Sequence, residues 1–215
     1  IAVVGEGMKH RSGIAGKVFH ALGRNGINIV AIAQGSSELN ISMVIPRLDE
    51  SKALNAIHEA FFLAGRRTVN LFLVGIGLIG STLLEQLSSQ QEVLGDTHRI
   101  AVRLVAAANS KRMVFDSAGL DPATVRDLLY GMDPDDTAGG APQLSAYSPE
   151  AFIHRMRELN LPNSAFCDCT ANEDIASRYL DILGAAIPVI TPNKRANSGP
   201  LSYFKALRDQ SREST

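Results

Sequence analysis

Cysteine is scarce, neither sign of charge prevails, and long apolar runs are missing from this 215-residue sequence; each absence removes a class of protein. Two cysteines, Cys167 and Cys169, cannot build a disulfide framework. They stand two apart, on one face if the segment is a strand, with no third cysteine and no nearby histidine. Zinc binding is therefore set aside, and buried thiols are expected. The five histidines (His10, His20, His58, His98 and His154) show no ligand or triad spacing, so no metal site is expected. No serine elbow and no solenoid-period repeat is visible. A net charge of −1, with Lys and Arg scattered, argues against nucleic acid as a partner. No apolar run approaches the ~18 residues a membrane span needs, and no signal-peptide pattern opens the chain. A cytoplasmic, reducing setting with no membrane partner is the expectation. The chain opens at Ile1 inside an apolar run and closes in a polar stretch, 208–215, so a piece of a longer protein is expected.

What is present is ample core material. Hydrophobic residues make up 45% and charged residues 20%, enough for one large domain or two small ones. Residues 1–4 read as a strand, and 13–24 show helical spacing through Ile14, Val18, Ala21 and Leu22. Asn25–Gly26 stops that helix. Strands are expected at 27–33 and 39–45, joined by turn residues 34–38, with Pro46 as the stop. A second helix at 51–63 places Leu54, Ile57, Ala60 and Phe61 on one face. Such a sheet would be completed by a fourth strand, yet none follows. After a junction at 65–67, residues 69–74 are almost wholly apolar, as in a strand buried on both faces of a parallel sheet. A helix from 78 to about 89, a strand at 100–108, a loose stretch at 131–148 and a helix at 149–159 come next. A strand at 165–168, a helix at 173–183 and a strand at 187–190 follow. Alternating helices and apolar strands give a doubly wound, Rossmann-type α/β domain with a parallel sheet over 68–215.

The chemistry begins at Gly75–Ile76–Gly77–Leu78–Ile79–Gly80, between a buried strand and an amphipathic helix. The first glycine permits the tight turn and the second lets backbone approach a pyrophosphate. The third lets helix and strand pack closely, while the helix end offers free N–H groups. A purely structural turn is the competing reading. Gly5–Glu6–Gly7–Met8–Lys9–His10 has two of the glycines, but His10 in the third place and Glu6 beside the phosphates exclude it as a nucleotide site. At the end of the second strand an NAD site places Asp or Glu to bond the ribose; here Asn109–Ser110–Lys111–Arg112 stand instead. Neutral donors beside cations favour the 2′-phosphate of NADP, with NAD the alternative and a solvated loop the bland reading. Two more loops lie at strand ends, 168–172 and 191–194. Thr170, with Ala171 beside it, can bond a ribose or amide. Lys194 can place its ammonium near the reacting end, unless it is an ordinary surface lysine.

These stretches together resemble one family, the bifunctional aspartokinase–homoserine dehydrogenases, at the join between regulatory and dehydrogenase parts. The resemblance is carried by Gly5–Met8, Gly13–Gly16, the specific run Ala31–Ser42, Gly75–Gly80, Ala108–Ser110, Asp168–Asn172 and Thr191–Lys194. It is weakest over 113–165. It implies that residues 1 to about 64 are an incomplete ACT-type module, a small ferredoxin-like α+β fold that borrows a strand from elsewhere. It further implies threonine as effector, with main chain around Gly7–Met8 and Gly13–Ile14 holding the carboxylate and Gln34 the polar end. For the second part it implies reduction of aspartate semialdehyde to homoserine. Gly75, Gly77, Leu78, Ile79 and Gly80 would form the pyrophosphate turn. Asn109, Ser110 and Lys111 would lie at the adenosine, Thr170 and Ala171 at the nicotinamide ribose, and Lys194 would assist catalysis. The family's principal catalytic lysine and substrate carboxylates belong to a following domain, and the kinase residues to a preceding one. This stretch alone is therefore expected to bind cofactor with little or no turnover, and to sit in a homo-oligomer. The competing function is an amino-acid-sensing and dimerisation module whose nucleotide fold stays unused. Another amino-acid dehydrogenase with an attached sensor is a third reading, disfavoured by the run Gln34–Ser42.

Overall fold

A computed structural model describes residues 1–62, 67–131 and 144–213, and the chain divides into two units, Ile1–Arg66 and Arg67–Thr215. The expected junction at 65–66, the end of the second helix at 63 and most of the loose stretch (132–143) lie outside the described residues.

In the first unit, β1 (Ala2–Val4), α1 (Ile14–Arg24), β2 (Ala31–Gln34), β3 (Asn40–Val44) and α2 (Glu50–Phe62) follow in order. The strands form an antiparallel sheet, β1-β3-β2, with β3 central; three strands are present among the described residues. Alternation along β3 sends Ile41 and Met43 inward, where Val18 and Leu22 of α1 and Ala53 and Ile57 of α2 meet them. Each fully buried aliphatic side chain contributes roughly 1.5–3 kcal/mol. Two sequence expectations shift. The strand expected from residue 27 begins only at Ala31, and β2 is an exposed edge strand throughout. The buried face of α2 is set by Ala53, Ala56 and Ile57, leaving Leu54 49% exposed. The small alanines let α2 lie close to the sheet, which rotates Leu54 outward.

The second unit is built on a six-stranded sheet. Its elements are β4 (Arg67–Val74), α3 (Leu78–Thr97), β5 (Ile100–Ala108), β6 (Arg112–Leu120), α4 (Val125–Gly131), β7 (Leu144–Ala146), α5 (Pro149–Leu159), β8 (Ser164–Asp168), α6 (Glu173–Ala176), α7 (Tyr179–Leu183), β9 (Val189–Ile190), α8 (Arg195–Ser198) and α9 (Leu201–Glu213). The strand order is β7-β6-β5-β4-β8-β9. Strands β5, β4, β8 and β9 run parallel, whereas β6 and β7 are antiparallel additions. Neither addition was expected from the sequence. Their cause is local: the Asn109 side chain accepts hydrogen bonds from the Lys111 and Arg112 N–H groups at 2.8 and 2.7 Å. That turn sends the chain straight back as β6 with no crossover helix.

Helices cover both faces, as a doubly wound sheet requires. Phe72 and Val74 of β4 point to one layer with Phe152, Met156 and Ile182. Leu71 and Leu73 point to the other with Leu84 of α3 and Leu129 of α4. Burial on both faces is why β4 is wholly apolar from Leu71 to Val74. The helix expected over 173–183 is broken at Ser177–Arg178 into α6 and α7. The strand expected over 187–190 is ordered only at Val189–Ile190, since Pro188 has no N–H for the ladder. Helix α3 runs beyond the expected 89 to Thr97, no proline intervening.

Candidate functional sites

Strand β4 lies where the chain order reverses, β5 on one side and β8 on the other. Ligands bind outside the carboxyl ends of strands at such a point. Four loops leave that edge together: Gly75–Gly77 after β4, Asn109–Lys111 after β5, Cys169–Asn172 after β8 and Thr191–Lys194 after β9. They are tied by main chain. The Gly75 N–H donates to the Ala108 carbonyl and the Cys169 N–H to the Val74 carbonyl, each at 2.8 Å.

The three glycines are there for three different reasons. Gly75 holds φ +90°, and a Cβ on it would stand 2.7 Å from Thr170 Cγ2 and 2.9 Å from the Cys169 carbonyl carbon. A Cβ on Gly80 would fall 1.9 Å from the Gly75 carbonyl oxygen, so the first turn of α3 packs on the loop with no room for a side chain. Gly77 differs: its φ of −72° suits any residue, and a Cβ there would meet nothing within 4 Å. Among the described residues nothing demands glycine at 77, and the space beside it is open. The end of α3 is equally open among the described residues. Gly77 offers no side-chain cap, no acidic residue sits in the first turn, and the Ser81 N–H donates to the Gly77 carbonyl at 2.8 Å. The N–H groups of Leu78, Ile79 and Gly80 precede it, at the positive end of a 20-residue helix. A dinucleotide's pyrophosphate fits this cradle. Leu78 and Ile79 are exposed beside it.

The remaining expected residues divide by what their side chains do. Asn109 is buried; its carbonyl oxygen builds the turn and its amide donates to the Leu129 carbonyl at 3.1 Å, so its side chain shapes the loop instead of reaching out. Ser110 and Lys111 are exposed on that loop. Thr170 packs under Gly75, and its hydroxyl accepts from the Asn172 N–H at 3.1 Å. Ala171 is exposed next to it. Lys194 is exposed at the start of α8, its ammonium making no hydrogen bond or ion pair with the described residues.

Sequence reasoning missed what holds the last two loops. Asp168, wholly buried at the end of β8, accepts from the Thr170 N–H at 2.7 Å, the Tyr179 hydroxyl at 2.5 Å and the Asn193 amide at 2.9 Å. The Tyr179 hydroxyl, its one proton on Asp168, also lies 3.1 Å from Thr191 Oγ1, and the Thr191 hydroxyl donates to the Asp168 carbonyl at 2.8 Å. The Asn193 amide also reaches the Asn172 carbonyl at 2.9 Å. One carboxylate thus clamps the 168–172 loop to the 191–194 loop. Burial, and then the bond to Asp168, push the Tyr179 hydroxyl well above its ordinary value, so it stays a donor. The available signal was an aspartate closing an otherwise apolar strand.

The first unit holds its own cavity, of about 380 Å³. Met8, Gly13, Ile14 and Gln34 line it, as do Arg11 and Glu38, which the sequence reading did not single out. Gly7 sits in the adjoining 3-10 turn and does not line it. The rim carries left-handed backbone at His10 (φ 59°), Gly13 (φ 86°) and Glu38 (φ 57°). The Glu38 carboxylate ties this rim by accepting from the His10 N–H at 2.8 Å. An exposed guanidinium and a half-buried carboxylate therefore face one small cavity.

Comparisons with known proteins agree with both halves. A family model described as "Homoserine dehydrogenase, NAD binding domain" matches residues 75–215, and one described as "ACT domain" matches residues 1–61. The sequence is 42% identical over 214 residues to "Bifunctional aspartokinase/homoserine dehydrogenase 2, chloroplastic" of Arabidopsis thaliana, covering all of this chain and 22% of that protein. It is 38% identical over 215 residues to the "Bifunctional aspartokinase/homoserine dehydrogenase" of Haemophilus influenzae, covering all of this chain and 25% of that one. A solved structure, "Hyperthermophilic archaeal homoserine dehydrogenase mutant in complex with NADPH", superposes with a TM-score of 0.52 at 19% identity. That match covers 68% of this chain and 41% of that one, and is a likeness of fold. The chain thus spans a quarter or less of the length of these two curated relatives. No described helix is long and apolar enough to cross a membrane.

Proposed function

The chain belongs to the bifunctional aspartokinase/homoserine dehydrogenase family, and on that premise we propose that it is the cofactor-binding part of an enzyme reducing L-aspartate 4-semialdehyde to L-homoserine, joined to an amino-acid sensor. The observation that carries this is Gly77: it leaves space that none of the described residues fills, beside a helix end with no side-chain cap and no carboxylate in its first turn. The bound nicotinamide dinucleotide supplies the hydride for the aldehyde carbon. The chain's own part is to hold and to orient. Main-chain N–H groups at Gly77, Leu78 and Ile79 take the pyrophosphate. Asn109 shapes the loop from which Ser110 and Lys111 meet the adenosine side. With no acidic residue there and an exposed lysine, NADP is the favoured cofactor, NAD the lesser one. Thr170 and Ala171 border the ribose, fixed by the Asp168 clamp. Lys194, its ammonium uncommitted, steadies negative charge growing on the substrate oxygen. The complete reaction, and the kinase activity of the relatives' names, belong in this proposal to the longer protein.

The cavity of the first unit we assign to an amino-acid effector, threonine. A zwitterion needs one cation and one anion, and Arg11 and Glu38 provide them on the cavity wall beside the Gly13–Ile14 main chain and Gln34. Exposed Val4, Ile32 and Val44 on the sheet of that unit favour pairing into a homo-oligomer. Two free thiols fit a reducing compartment, the cytoplasm in this reading, although the plant relatives are named as chloroplastic. The test is calorimetric titration of the chain with NADPH, NADH and threonine in turn. NADPH binding tighter than NADH, with threonine binding independently, is expected. Threonine binding without either nucleotide would instead make the glycine turn structural and the chain a sensing module.

A further inference from the structure

The only two cysteines of the chain flank Asp168 at the carboxyl end of β8. Their sulfurs lie 3.7 Å apart on the face of the sheet that α3 covers. Cys167 is buried and Cys169 half-buried. Cys169 also forms the floor of the glycine turn. A Cβ on Gly75 would stand 2.9 Å from its carbonyl carbon, and one on Gly80 would stand 3.5 Å from its own Cβ. We propose that Cys167 and Cys169 are a redox-active pair whose closure into an intramolecular disulfide distorts the glycine turn and weakens dinucleotide binding. The second half of this proposal rests on the cofactor-binding reading given above.

A disulfide needs its sulfurs about 2.05 Å apart, so the pair must close by roughly 1.6 Å from its 3.7 Å separation. Residues two apart on an extended strand have Cα atoms roughly 6.6 Å apart, near the upper limit a disulfide tolerates. The chain between them must therefore pucker, and the residue between them is Asp168. Its carboxylate holds the Thr170 N–H, Tyr179 and Asn193, so puckering there moves both loops at the cofactor edge. The chemistry is thiol–disulfide exchange with a low-molecular-weight disulfide. Cys169 is the first nucleophile: it is the more accessible, and the hydrogen bond from Cys167 holds its thiol below the usual value against the opposing effect of burial. Its thiolate attacks the small disulfide and releases one small thiol. The Cys167 sulfur then attacks Cys169 Sγ and releases the second. Two S–H bonds of the protein are lost, one S–S bond forms, and the two protons end on the two small thiols.

The test uses the 215-residue chain, reduced and then incubated with oxidised glutathione. Expected are a mass loss of two hydrogens, disappearance of both titratable thiols, and NADPH affinity weakened about tenfold, the equivalent of one charge-assisted bond to phosphate. Dithiothreitol should restore binding. Hydrogen exchange at residues 75–80 should rise in the oxidised form even without nucleotide. Cys167→Ala should bind NADPH when reduced and stop at the mixed disulfide with glutathione. A stable mixed disulfide or disulfide-linked dimer in the unsubstituted chain would overturn the proposal. So would an intramolecular disulfide with unchanged NADPH affinity. Failure of the reduced chain to bind NADPH would instead refute the cofactor reading, and the pair would then stand or fall on mass and hydrogen exchange at the turn.

Discussion

Gly77 and Gly80 belong to one turn, yet the geometry around them demands opposite outcomes when each becomes alanine. In Gly77→Ala the new Cβ meets nothing within 4 Å, and φ −72° is comfortable for alanine. Losing a good N-cap residue costs a few tenths of a kcal/mol and the stiffer unfolded chain returns a similar amount, so Tm should stay within about 2 °C. The same Cβ enters the space left for the pyrophosphate. Displacing two backbone bonds to phosphate, each about 1.5 kcal/mol, corresponds to a loss of roughly 100-fold in NADPH affinity. In Gly80→Ala the Cβ falls 1.9 Å from the Gly75 carbonyl oxygen, a backbone atom with no flexible side chain to yield. A cost of about 3 kcal/mol is expected, lowering Tm of a unit this size by roughly 6–12 °C. Thermal unfolding and calorimetric titration of both variants decide the matter. Unchanged NADPH affinity in stable Gly77→Ala would show that no phosphate lies there. Unchanged Tm in Gly80→Ala would show that helix and loop are not in contact.

Three further outcomes can be checked. Tyr179→Phe removes a buried donor from Asp168 and should cost about 1–2 kcal/mol in urea unfolding. The sign of its pH effect follows from the upward shift. The folded protein keeps the Tyr179 proton where the unfolded chain, with its ordinary value of 10.0, loses it. Its stability contribution is therefore complete below pH 10 and declines as pH rises toward the folded value. Urea midpoints between pH 9 and 11 should fall less in the phenylalanine variant; parallel curves would refute the assignment. Lys111→Glu should weaken NADPH about tenfold while leaving NADH within twofold, since only the former carries a 2′-phosphate; equal losses in titration would remove Lys111 from that role. Arg11→Ala should lower threonine affinity by at least about tenfold with NADPH affinity unchanged, and calorimetry showing full threonine binding would place the effector elsewhere.

Local pattern alone determines a good deal of this protein. The almost wholly apolar run at 69–74 reads as a strand covered on both sides, and glycines at 75, 77 and 80 place the turn after it. The run Ala31–Ser42 and the strand-end loops were enough to indicate the family. These signals are contiguous, so they survive in one dimension. What the sequence did not disclose depends on groups far apart along the chain. The helix face of α2 was misplaced at Leu54 because the closeness of its packing, through Ala53 and Ala56, is decided by the sheet beneath. Strands β6 and β7 escaped because one buried asparagine, Asn109, turns the chain straight back through its side-chain bonds to the Lys111 and Arg112 N–H groups, a reversal that no periodicity announces. The Asp168 clamp joins residues 11 and 25 positions apart, and no periodicity links them. Nor does the sequence distinguish the glycines by role. Gly75 and Gly80 are required by contacts within the fold, whereas Gly77 is free of them. That difference is a matter of which atoms stand nearby, and only the packed chain decides it.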